Sequence, residues 1–150
     1  MGRRLNISVD GKTIAFEPHP TYLGVKLDRS FTFKPHLTSL QRKVLSRCAL
    51  SNRLAGTGWG APVSTHRTSS LAHVYPTAEY CSPAWSRSRS TKEVDVAINS
   101  PLRTITGCLK PTPTQYLPIL VGIAPASVRR NAATLRLVLK YALTEHFNNN

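Results

Sequence analysis

Five histidines, three cysteines and seven acidic side chains are the groups in this chain that could carry out chemistry. Phosphoryl transfer by two metal ions needs carboxylates gathered within a few ångströms of both ions. The closest acidic pair is Glu93 and Asp95, at the start of a candidate helix. Residues two apart on a helix do not face one site, so they read as first-turn acids that favour the helix dipole. Asp28 and Glu79 stand isolated. His66 and His73 can share a helix face, but no carboxylate or thiol at ligand spacing joins them, which argues against a metal site. Cys48, Cys81 and Cys108 include no CxxC pair and are odd in number, which argues against a zinc knuckle and a secreted disulfide framework. They are expected to be reduced intracellular thiols. Gly56-Thr57-Gly58-Trp59-Gly60 lacks the Lys-Ser/Thr of a phosphate loop and follows no strand. It reads as a helix stop with an aromatic anchor. No catalytic residue, metal ligand or resident cofactor is assigned.

Binding chemistry is better supplied. The chain has 150 residues, with 20 Lys and Arg against 7 Asp and Glu, a net charge of +13. That field attracts polyanions, nucleic acid above all. Cations that neutralise phosphates release counterions, and this supplies most of the affinity. Aromatic rings beside such cations can stack on bases. Tyr22, Trp59, Tyr80 and Trp85 are the candidates, with Trp59 and Trp85 reading more as core residues and Tyr22 open to either role. Nothing resembles a helix-turn-helix, homeodomain or zinc finger, so readout of particular bases is not expected. The start of the chain has two arginines but no apolar segment of a signal peptide. No apolar run approaches a membrane span. The expected location is intracellular, in nucleus or cytoplasm, with no membrane partner.

The elements that must position these groups are legible from periodicity. Leu5, Ile7 and Val9 alternate, Asp10-Gly11 turns the chain, and Ile14 and Phe16 alternate. This is the pattern of a type I′ hairpin pairing Val9 with Lys12, Ile7 with Ile14, and Leu5 with Phe16. A third strand is expected over 22–28, with Leu23, Val25 and Leu27 on one face. A helix is expected over 36–55, with Leu37, Leu40, Val44, Cys48 and Ala55 inward and Arg42, Lys43, Arg47 and Arg53 mainly off that stripe. Gly56 and Gly58 stop it. A second helix begins near Ser64, with Leu71, Val74 and Ala78 inward, and Pro76 should kink or end it. Residues 81–90 read as a loop. Ser90 and Glu93 form a capping-box pattern opening a helix through Val94, Ile98, Leu102 and Ile105, bent at Pro101 and stopped at Gly107. Thr112-Pro113 reads as the start of a short helix carrying Ile119, Leu120 and Ile123. The last helix spans 127–147, with Val128, Ala132, Leu135, Leu139 and Ala142 inward and Arg129, Arg136 and Lys140 in a basic row. The terminal asparagines should fray. The fold class is therefore α+β and mainly helical: an N-terminal hairpin plus a third strand, then a bundle of four to five helices. The division expected is a β segment over 1–34 and a helical region over 35–150.

Several phrases then resemble one family. They are Tyr22-Leu23-Gly24-Val25 with Asp28, Phe31-Thr32-Phe33 with His36, and Leu54-Ala55-Gly56 with Trp59-Gly60. Ala78-Glu79-Tyr80-Cys81 follows with Pro83 and Trp85, then Asp95, Asn99 and Arg103, and Gly107-Cys108 with Thr112-Pro113-Thr114. Leu117-Pro118, Gly122-Ile123-Ala124-Pro125 and Arg129-Arg130 complete the order. Together, over about residues 20 to 147, they resemble the region after the catalytic palm in reverse transcriptases of non-LTR retrotransposons, the jockey-like LINE elements. The resemblance implies that Tyr22, Leu23 and Gly24 are primer-grip residues at the end of the palm. It also implies that the following helices form a thumb and connector that contact a template–primer duplex. Nucleic-acid-binding residues would be Tyr22, Leu23, Gly24, Lys26, Arg42, Lys43, Arg47, Arg53, Arg129, Arg136 and Lys140.

The departures matter equally. The family's Tyr-x-Asp-Asp motif, fingers and most of the palm are missing, so the chain is expected to be inactive as a polymerase by itself. Mg and dNTPs would be bound by that missing palm. Met1 stands shortly before the grip strand, as in a truncated reading frame. Pro76 stands where Ser is expected, costing about 3 kcal/mol in a continuous helix, as in a decaying copy. Expected partners are an RNA–DNA hybrid, RNA or single-stranded DNA without sequence specificity, and a separate palm fragment. The alternatives are a basic helical module that binds RNA or protein, and a remnant without function. Without its palm, the strand segment should expose an apolar patch at Leu23, Val25 and Leu27.

Overall fold

A computed structural model of the chain describes residues 7–53 and 61–148. Two small antiparallel hairpins precede a helical majority, so the fold is α+β and mainly helical. Strands β1 (Ile7–Val9) and β2 (Lys12–Ile14) pair Ile7 with Ile14 and Val9 with Lys12. Asp10 and Gly11 both take positive φ, as a type I′ turn requires. The Leu5–Phe16 pair falls partly outside the described residues.

The expected third strand is instead a second hairpin. Strands β3 (Thr21–Tyr22) and β4 (Val25–Lys26) pair across a tight turn whose central residues, Leu23 and Gly24, have φ of 46° and 80°. Period-two alternation does not distinguish a strand from two half-strands folded about their middle. The apolar face expected at Leu23, Val25 and Leu27 is thereby broken up. Val25 is buried beside the first helix, whereas Leu23 stands exposed at the tip.

Helix α1 (Lys34–Arg53) buries Leu37, Leu40, Val44 and Cys48 at the expected helical spacing, mainly against α5 (Thr91–Thr106). Ala55, Gly56, Gly58 and Trp59 lie outside the described residues. Asp28 organises the approach to α1. Its carboxylate accepts the Phe33 and Thr32 amides at 2.7 and 3.0 Å and the Thr32 hydroxyl at 2.9 Å. These hydrogen bonds outweigh the opposing desolvation and hold the carboxyl below its ordinary value.

Pro76 does not end its helix, but the regular α-helical ladder is interrupted just before it. Helix α2 (Val63–Ser69) runs into a π-helical turn, Ser70–Val74, and continues as α3 (Tyr75–Glu79). The Tyr75 amide donates to Ser70, five residues back. A π turn widens the ladder immediately before the proline, so the missing N–H and the ring fall where the regular ladder is already interrupted. Residues 81–90 are also not all loop: α4 (Ser82–Trp85) buries Trp85 completely, with its indole N–H donating to the Tyr80 carbonyl at 3.0 Å.

Helix α5 buries Val94, Ile98, Leu102 and Ile105 as expected, runs through Pro101, and ends at Gly107 in the left-handed conformation. The capping box is not formed. The Ser90 side chain makes no cap bond, and Glu93 instead accepts the Thr38 hydroxyl of α1 at 3.3 Å. The short helix α6 (Leu117–Val121) begins after Thr112-Pro113 rather than at it, and it buries Leu117 and Val121 while Ile119 and Leu120 are exposed. Helix α7 (Ala126–Asn148) packs its first turns on α4. Beyond Thr134 its described side chains are exposed, so Val128, Ala132, Leu135, Leu139 and Ala142 are not the buried face expected. Helical spacing marks an apolar stripe but does not supply the partner that would cover it.

Candidate nucleic-acid interface

The structure draws the motif residues around the second hairpin turn. Leu23 lacks glycine's freedom at positive φ, and Tyr80 holds it there: its hydroxyl donates to the Leu23 carbonyl at 2.9 Å. The same ring lies against Gly24, where an added Cβ would sit 3.3 Å from Tyr80 Cε1. The Leu27 amide donates to Pro20 at 2.9 Å, closing the base of the hairpin. The Lys26 amide donates to Nδ1 of His36 at 3.3 Å, tying the hairpin to α1.

Behind this turn lies a cavity of about 590 Å³ between the hairpin, α1 and α3, lined by Gly24, His36, Lys43, Arg47, Thr77 and Tyr80 among others. Lys43 and Arg47 are four residues apart on one flank of α1 and are exposed. Helix α1 contains no acidic residue. The His36 side chain is buried, and burial, then Lys43, then Lys26 push its pKa below the usual histidine value. The ring is therefore held neutral, and because Nδ1 accepts a hydrogen bond, the proton sits on Nε2. That buried Nε2 has no partner among the described residues. Such a donor costs about 1–3 kcal/mol.

The remaining expected binding residues separate into groups. Tyr22 is exposed beside the turn, and Lys26 follows it. Arg42 and Arg53 are exposed, near the side of α1 opposite Val44 at 100° per residue. Arg136 and Lys140 are exposed on the projecting part of α7. Arg129 does not belong to their row. Its guanidinium forms a bidentate pair with Glu79, Nη2 to Oε2 at 2.9 Å, and lies 4.8 Å from the centre of the Tyr75 ring. Arg130 makes the same kind of pair with Asp95, Nη2 to Oδ2 at 2.9 Å, and lies over Trp85. Arg67 and Arg103 likewise donate to backbone carbonyls, those of Val121 and Gly122 and those of Lys110 and Thr112. Part of the cationic excess is thus structural.

His36 was not singled out by sequence reasoning, and Tyr80, named there as a stacking candidate, instead holds the turn; both stand in the phrases that carry the resemblance. Glu79 and Asp95, which read as an isolated acid and a first-turn acid, are ion-pair partners of α7. Trp85 is core, and Trp59 lies outside the described residues. Three of the described acids are already engaged: Glu79 and Asp95 by arginines and Asp28 by backbone amides. No group of three potential ligands occurs among the described residues. Among those residues no helix is long and apolar enough to cross a membrane.

Over 140 residues the chain is 25% identical to the "Retrovirus-related Pol polyprotein from type-1 retrotransposable element R1 4" of Nasonia vitripennis, a match covering 92% of this chain and 36% of that protein. The match supports a non-LTR retrotransposon origin. The chain spans about a third of the length of this curated relative. No family model matches, and no solved structure matches.

Proposed function

We propose that this chain is a thumb-side segment of a non-LTR retrotransposon reverse transcriptase, jockey-like in its phrases, that holds template–primer nucleic acid without supplying catalytic carboxylates. The observation that carries this reading is the placement of the Tyr22-Leu23-Gly24 turn beside Lys43 and Arg47. Gly24 of that turn lines the same cavity as Lys43 and Arg47 of α1, which supports reading them as a grip turn beside a phosphate-neutralising helix. Lys26, Arg42, Arg53, Arg136 and Lys140 would add phosphate contacts from separate exposed positions, whereas Arg129 serves the fold. Polymerisation would need a palm from elsewhere, with its Mg and dNTPs, and the setting would be nucleus or cytoplasm.

The test is binding of the full chain to an RNA–DNA hybrid, to RNA and to single-stranded DNA across a salt series. The expected result is preference for the hybrid, with each phosphate contact adding about 0.7–0.9 to the slope of log affinity against log salt. Weak binding that is indifferent to salt would overturn the reading and leave a remnant. The exposed apolar side chains of α7 favour a second reading, attachment to another protein such as a palm fragment.

A further inference from the structure

We infer that the projecting part of α7, residues 135–144, is a plug for an apolar groove on a partner protein, and that the rim of this groove carries carboxylates that meet Arg136 and Lys140. The inference rests on the second reading above, attachment of α7 to another protein, and states the chemistry of that partner. Four observations carry it.

The first is the width of the apolar arc. Leu135, Leu137, Val138, Leu139, Tyr141 and Leu143 are all exposed, by 41% to 63%. At 100° per residue they spread over about 240° of the helix circumference. A helix lying on a flat surface needs an apolar stripe of only about 100°. One that is apolar over most of its circumference is built to be surrounded, and a groove supplies walls on more than one side.

The second is charge. The remaining sector is a single line of residues four apart, Arg136, Lys140 and Thr144. No acidic residue lies between Ala126 and Thr144, and neither cation makes an ion pair among the described residues. A groove that closes over the apolar arc brings its rim beside this line, where carboxylates answer the charge. In the assembled state Arg136 and Lys140 therefore leave the set of phosphate contacts.

The third is the root of the helix. Arg129 with Glu79 and Arg130 with Asp95 clamp the start of α7 to α3 and α5. The projecting turns are thus offered as an already formed helix, which lowers the ordering cost of docking.

The fourth disfavours a second copy as the occupant. The cavity beside α1 is lined by Lys43 and Arg47, another at the end of α5 by Arg103 and Lys110, and a third before α5 by Arg87 and Arg89, with no carboxylate in any of the three. The cavity that does include an acid, Asp95, has it paired to Arg130. Two α7 helices side by side would cover one narrow seam on each and leave most of the arc in water.

The probe is a designed two-helix protein with a leucine-lined groove, made once with a Glu rim and once with a Lys rim and titrated calorimetrically into the full chain. The Glu-rimmed groove is expected to bind at least about tenfold tighter than the Lys-rimmed one. Leu135→Gln with Leu139→Gln should abolish binding, and Arg136→Glu with Lys140→Glu should reverse the rim preference. Lys12→Gln with Lys110→Gln, which removes two exposed cations on other parts of the chain, should leave binding unchanged. All these positions are exposed, and circular dichroism checks that the helix is retained. Equal binding of both rims through the same leucines would overturn the acidic partner and leave the attachment reading standing. A dimer in sedimentation that the leucine variant dissociates would overturn the inference in favour of a second copy. Binding of the Glu rim that ignores the leucine variant would overturn it as general charge attraction. Binding to phosphatidylserine vesicles through those leucines, with neither groove bound, would overturn both in favour of a lipid surface, and no binding at all would overturn both outright. None of these results turns on hybrid binding, so the nucleic-acid reading stands or falls separately.

Discussion

Asp95→Ala should destabilise this protein far more than Glu79→Ala, although both remove the carboxylate from a bidentate pair with neighbouring arginines. The difference lies in what is left behind. The Arg130 side chain is 7% exposed and lies over Trp85, so without Asp95 its charge stays out of water with nothing to answer it. Orphaning a buried ion costs about 3–5 kcal/mol. Asp95 is itself 34% exposed, and solvent reaching that end lowers the expectation to about 3 kcal/mol. At this chain length that is roughly 6–12 °C in melting temperature. Arg129 is 30% exposed and can turn to water once Glu79 is gone. Its loss should be about 1 kcal/mol, or roughly 2–4 °C. Thermal and urea unfolding followed by circular dichroism would measure both. A third variant isolates the cause: Asp95→Leu with Arg130→Met removes both charges and should be much less damaging than Asp95→Ala alone. Equal losses for the two alanine variants, or a double variant as damaged as Asp95→Ala, would refute the orphaned-charge argument.

Four further outcomes concern Pro76, Cys48, Asp28 and the exposed leucines of α7. Pro76→Ser should change the melting temperature by no more than about 3 °C, because the π turn already accommodates the ring; a rise near 10 °C would mean that the proline still exacts its full penalty of about 3 kcal/mol. Burial pushes the Cys48 thiol up to about 11, so a thiol reagent near neutral pH should label Cys81 and Cys108 quickly and Cys48 only on unfolding; three equal rates would contradict this. The depressed Asp28 carboxyl contributes stability that is present above its unfolded value of about 3.9 and is lost as pH falls through its lower folded value. Asp28→Asn should therefore flatten the acid limb of urea midpoints below about pH 4, and parallel curves would dismiss the role. An apolar dye should bind the folded chain, and Leu135→Gln with Leu139→Gln should reduce that signal; no change would put the exposed apolar surface elsewhere.

The hairpin at Asp10-Gly11, the inward faces of α1 and α5 and the stop at Gly107 were legible in the sequence, because each rests on local chemistry. An Asp-Gly pair selects a turn, and apolar spacing selects which side of a helix is buried. The Tyr22-Leu23-Gly24 phrase was legible as a motif but not as a turn. Leu23 takes its left-handed backbone with help from Tyr80, 57 residues away, and no local propensity reports such a bond. The capping box failed for a related reason: Glu93 has a better-placed partner in Thr38 of α1 than in its own helix start.

Charge shows the division most sharply. Sequence alone determined that the chain carries a large cationic excess, since net charge is a matter of composition. Only the tertiary structure decided which cations are free. It brought Glu79 to Arg129 and Asp95 to Arg130 while leaving Lys43 and Arg47 unanswered around His36. The reason is that an ion pair depends on distances of a few ångströms between side chains on different helices, and chain order contains no such distances until the helices have packed.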